Sequence, residues 1–155
     1  MSTTRARLLA IAIVAATGAT AALVVTTSSR GAKAPPPGVY LARARAICQE
    51  YGRKLDRIPP IQDPTLLGNV IEATDQALPV LREQAARIRA LTPPVALRPR
   101  IARFFTLTDQ SLETLQAVRD AARNLDSNNV GTELIRFGKE TAAAKRVGSR
   151  IGYRC

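Results

Sequence analysis

The sequence contains no histidine and no tryptophan. Histidine is the commonest general base and metal ligand near neutral pH, so its absence weighs against most enzyme chemistries. A carboxylate-bridged metal site of the kind helical bundles carry draws on inward Glu-x-x-His pairs, which this chain cannot supply. Glu72, Asp75 and Glu83 share one helical segment, but they flank its apolar stripe and read as solvated edge residues. No stretch reads as a strand, so no glycine-rich phosphate loop can follow one. No serine or threonine stands beside a recognisable activating base. The sequence therefore offers no catalytic, cofactor-binding or metal-ligating residue, and the expectation is a protein that is not an enzyme and needs no cofactor.

Acidic residues are also few, 12 against 23 basic ones. Lysine is scarce, at Lys33, Lys54, Lys139 and Lys145 only, so arginine carries the positive charge. All the acids fall within residues 39–155, a region that still keeps a net charge of about +7. Such a surface favours polyanions: nucleic acid, anionic lipid or an acidic envelope polymer. Nucleic acid is the weakest of these, because no recognition-helix pattern or exposed aromatic platform accompanies the charge.

The N-terminal segment explains the compartment. Leu8 to Val25 is an uncharged apolar run close to the minimum for a membrane-spanning helix. Arg5 and Arg7 precede it, which places the N-terminus in the cytoplasm and the remainder outside. The expected organisation is a cytoplasmic tail over 1–7, a transmembrane signal anchor over 8–26, a proline-rich linker over 27–38 and an extracytoplasmic domain over 39–155. The alternative is a cleaved signal peptide and a secreted domain, since "AKA" at 32–34 has the small-x-small pattern of a cleavage site. Pro35, directly after it, disfavours that cut. Either way the domain lies outside the cytoplasm, and the first reading is a single-pass cell-membrane protein. In that oxidising setting the two cysteines, Cys48 and Cys155, are expected to pair.

From residue 39 apolar residues recur every three or four positions, the amphipathic-helix period. One helix is expected over 39–57, with Tyr40, Ala44, Ile47, Cys48, Tyr51 and Leu55 on its stripe. A second is expected over 64–91, with Asp63 as N-cap, Pro64 in the first position and a kink at Pro79. A third runs from Pro99 to Leu125 with a stripe from Ile101 to Leu125. A fourth runs over 128–147. Short connections favour antiparallel neighbours, so the sequence predicts an all-α, up-down-up-down four-helix bundle behind an N-terminal transmembrane helix. Thr74, Thr108 and Thr141 fall on inward stripes and are expected to bond back to their own helices.

A span, a proline-rich spacer, the "AxAxC" of Ala44, Ala46 and Cys48, the "LTPP" after the second helix and a glycine-containing tail reaching Cys155 together resemble small extracytoplasmic helical proteins of actinobacteria. That resemblance implies no activity, and no functional residue follows from it.

The arginines carry the functional expectation. Arg87, Arg89, Arg98, Arg100 and Arg103 bracket the turn between the second and third helices. Arg43 and Arg45 open the first helix, and Arg146, Arg150 and Arg154 close the fourth. The predicted topology brings all ten to one end, the end joined to the spacer, as a contact for anionic lipid. Asp56, Arg57, Asp63, Arg123, Asp126 and Glu133 give the opposite end mixed charge. The leading expectation is a membrane-anchored helical module acting by interaction at the cell envelope, with a protein partner left open. The alternative is a helical domain binding a small molecule or lipid in a cavity beside Pro79.

Overall fold

The computed structural model describes residues 35–155. The expected span over 8–26 and the "AKA" pattern at 32–34 lie outside the described residues, as does most of the linker. Within the described residues no helix is long and apolar enough to cross a membrane.

Four helices account for the described chain: α1 (Pro37–Leu55), α2 (Leu67–Arg89), α3 (Arg98–Arg123) and α4 (Ser127–Ile151). A short 3-10 turn, Val95–Leu97, leads into α3. The protein is all-α over this region, and its helices form a bundle. α1 packs on α2, α2 on α3 and α3 on α4.

α1 begins two residues earlier than the periodicity indicates. Pro37 occupies its first turn, where the missing amide hydrogen costs nothing and the fixed φ suits a helix. The expected stripe is buried at Tyr40, Ala44, Ile47, Cys48 and Tyr51. The start of α2 is a correction. Both the amide and the hydroxyl of Thr65 donate to Asp63 Oδ1, at 2.8 and 2.6 Å. Asp63 therefore caps a turn rather than the helix, and α2 begins at Leu67 with no side-chain cap. Pro79 lies inside a continuous α2. Its side chain is exposed, and the proline takes away the helical partner of the Asp75 carbonyl.

α3 ends sooner than the stripe suggests. Leu125 is left-handed, with φ at 59°. Its amide donates to Ala122 O and that of Asp126 to Ala121 O, at 3.1 and 3.0 Å. This is a Schellman termination with leucine where glycine is usual. Leu125 is 78% exposed, so it belongs to no core stripe. Asp126 then caps α4 by accepting from the Asn129 amide at 3.0 Å.

α4 continues through Gly148 to Ile151, four residues past the expected end. Gly148 stays helical because it is buried against Phe104, where an added Cβ would meet the ring at 3.1 Å. A second Schellman motif ends the helix at Gly152, φ 100°. Tyr153 N donates to Gly148 O at 2.9 Å and Gly152 N to Ser149 O at 3.1 Å. That reversal turns Tyr153 into the core and aims Cys155 at α1.

The apolar interior falls into two clusters. One gathers Tyr40, Ile47, Tyr51, Ile88, Ile101, Phe104, Phe105, Ile151 and Tyr153. The other gathers Val70, Val118, Ala121, Ala122 and Val130. Buried Thr74, Ser111 and Thr114 lie among the bundle's inward residues. Thr74 bonds back to Val70 O and Ser111 to Leu107 O, while Thr114 donates across to Glu140 on α4 at 2.7 Å.

Candidate functional site

α1 meets the C-terminal tail through three ties rather than through a packed helix face. The hydroxyls of Tyr40 and Tyr153 hydrogen-bond to each other. Arg45 Nε donates to Gly152 O at 2.9 Å. Cys48 and Cys155 form a disulfide with their Cα atoms 4.8 Å apart, inside the range such bridges need. Burial raises both phenol pKa values; for Tyr153 the bond to Tyr40 pushes the same way. Phe104 of α3 joins this end through its ring, 5.0 Å from that of Tyr153.

These contacts draw three segments together: 35–49, 84–108 and 141–155. None of the three contains an acidic residue, and together they hold eleven bases. They are the ten arginines singled out above and Lys145. All twelve acids lie in 50–83 and 109–140, with eight bases. The three segments together carry about +11 and the rest of the described chain about −4. The sequence showed the arginines; the sharper signal was the absence of acid between Glu83 and Asp109, and again after Glu140.

Three of the ten arginines are engaged within the fold. Arg45 holds the tail. Arg87 Nη1 lies 3.0 and 2.9 Å from the two Glu50 oxygens and its guanidinium covers the Tyr51 ring. Arg89 Nη2 lies 2.7 and 2.8 Å from the Asp109 oxygens and stacks 4.5 Å above Phe105. Both partners stand at the border of the basic end. Arg43, Arg98, Arg100, Arg103, Arg146, Arg150 and Arg154 are exposed and take part in no ion pair among the described residues. In the other half, Asp75 pairs with Arg119 and Arg123, and Glu140 with Arg136.

The second feature is a cleft of about 360 Å³, lined by all four helices and the tail. It exists because α1 is held at the tail while the residues facing across it are small: Gly52, Ala85, Ala144 and Gly148. Its walls are mainly apolar, with Leu55, Leu81, Ile88, Phe104, Leu112 and Phe137. The expected cavity was beside Pro79. Pro79 is exposed and lines no part of this one; α2 contributes Leu81, Gln84, Ala85 and Ile88 instead. Thr108 bonds back to Phe104 O at 2.9 Å, as expected. Thr141 does not follow the expectation: it is exposed and stands at the cleft edge.

Comparison with protein-family models, curated proteins and solved structures finds no match to this chain.

Proposed function

We propose that the chain is a non-enzymatic, membrane-anchored module of the cell envelope whose basic end docks on an anionic lipid surface. On this reading residues 8–26 are the anchor, 27–38 a linker and 39–155 an extracytoplasmic up-down-up-down bundle. The antiparallel order is supported by the ties of Tyr40 and Cys48 in α1 to Tyr153 and Cys155 after α4. The disulfide fits an oxidising compartment. The kinship is with the small actinobacterial extracytoplasmic proteins the chain resembles.

The observation that carries the proposal is the acid-free basic end with its seven exposed, unpaired arginines. Arginine forks match phosphate oxygens, and each base near an anionic surface contributes about 1 kcal/mol. α1 begins at this end, so the chain leading from the anchor enters there.

The test is sedimentation of residues 35–155, disulfide intact, with vesicles of anionic or of neutral phospholipid. Binding is expected only to the anionic vesicles, at low ionic strength, with release as the screening length falls below ~8 Å. Replacing Arg98, Arg100 and Arg103 by glutamine should weaken it far more than replacing Arg53, Arg57 and Lys139, exposed bases of the opposite half. Equal loss from both triple variants would leave only net charge and would sink the oriented end. The cleft favours a second reading, a ligand-binding domain, and that reading has its own chemistry.

A further inference from the structure

The cleft shares Lys145 with the basic end but none of its ten arginines, and its lining has a composition of its own. We infer that it binds one long-chain fatty acid, with the acyl chain between α1 and α4 and the carboxylate at Lys145 and Thr141. This goes beyond the surface reading and does not depend on it.

The interior calls for an apolar occupant. Leu55, Leu81, Leu112 and Phe137 are only half buried although they face into the bundle, and burying that surface is favourable at roughly 25 cal/mol per Å². Apart from that of Thr141, the hydroxyls of the helices along the wall are already spent. Thr108, Ser111 and Ser149 each donate to the carbonyl four residues back in their own helix. They present no unused donor to a polar ligand. The volume lies at the lower limit for ligand sites, which suits one chain and not two. Phe137 to Ser149, both on the lining, cover about 18 Å of α4 at the helical rise, a slot for a straight chain.

The head is assigned by charge. Lys145 is the only charged side chain on the lining. It is exposed and pairs with no carboxylate among the described residues. Thr141 lies one turn before it on the same face and makes no hydrogen bond to its own helix. An ammonium and an unspent hydroxyl at i and i+4 suit a carboxylate, which accepts from both.

The experiment uses the full chain in isolated membranes and a fatty-acid probe carrying a diazirine in the chain and a terminal alkyne. After irradiation, adducts are mapped by peptide mass spectrometry. They are expected on Leu81, Leu112 or Phe137, and should be competed by excess myristate but not by myristyl alcohol. Gly52 provides a plug. It lines the cleft, and a Cβ there meets nothing within 4 Å, so Gly52→Phe fills the space while removing a helix-weakening glycine. It should abolish labelling. Lys145→Glu should lower labelling roughly five-fold or more, the scale of an exposed ion pair lost and reversed, and Lys145→Arg should retain it. Non-reducing gels showing the Cys48–Cys155 bridge confirm that each variant is folded. Adducts elsewhere on the bundle, or labelling untouched by Gly52→Phe, overturn the site. Equal competition by acid and alcohol overturns the anionic head. Vesicle binding by the basic end is read separately, so either idea can fail alone.

Discussion

Replacing Tyr153 by phenylalanine removes one hydroxyl and keeps the ring against Phe104. The hydroxyl it removes is the hydrogen-bond partner of Tyr40, and Tyr40 is 1% exposed. The surviving phenol is then buried without a partner. Such a group costs about 1–3 kcal/mol, more than the net worth of the bond itself, whereas deleting both partners is close to neutral. Tyr153→Phe is therefore expected to destabilise by about 2 kcal/mol. For the 121 described residues that lowers the melting temperature by roughly 8 °C. Tyr40→Phe should behave alike, since Tyr153 is 4% exposed. The double variant should recover most of the loss, a coupling that a double-mutant cycle reads directly. Thermal denaturation of the four proteins under non-reducing conditions is the assay. If the double variant loses as much as the two single losses added, each hydroxyl has its own independent partner and the reasoning is refuted.

The same pair sets an alkaline limit. Both phenols have pKa values raised by burial from the ordinary 10.0, so the unfolded chain gives up these protons first; the stability is complete below pH 10 and declines as pH rises beyond it. Melting temperature against pH should fall above that point, and less steeply in the double phenylalanine variant. Cys48→Ser opens a loop spanning 107 residues and should cost up to about 4–5 kcal/mol on the chain-entropy account, seen as a drop in denaturation midpoint that reduction of the native protein reproduces. Leu125→Gly should stabilise by roughly 1 kcal/mol, because leucine at φ 59° carries the left-handed penalty and its exposed side chain loses little; an unchanged or lower midpoint would show that the side chain has a role beyond the turn.

Which parts of the fold could be read in advance depends on how local their causes are. The helical stripes are local. Tyr40, Ala44, Ile47, Cys48 and Tyr51 announce a buried face by spacing alone, and they are buried, while Leu55 on the same stripe is half buried at the cleft. Pro79 was readable as an interior proline, and it sits on the exposed face of an α2 that continues through it. Leu125 continues the apolar period of α3 and misleads for that reason: periodicity records side-chain type, not the sign of φ. The helix after it is set by the Asp126 cap, which accepts from the Asn129 amide.

The basic end is intermediate between local and long-range. Its arginines flank helix ends, so any antiparallel pairing gathers them, and no side-chain detail is needed. The internal pairs of Arg87 and Arg89 did need it, since Glu50 and Asp109 lie 37 and 20 residues away. The cleft is the least local of all. A space between helices is fixed by what holds them apart, and here that is the tail, whose ties span 113, 107 and 107 residues. The small residues at the gap, Gly52, Ala144 and Gly148, look in sequence like close-packing positions. Gly148 is one, against Phe104. Gly52 is not, because α1 is pinned to the tail and stands away from the body of α4. The same glycine type thus marks a tight contact on one side of the cleft and open space on the other, and only the position of the tail distinguishes them.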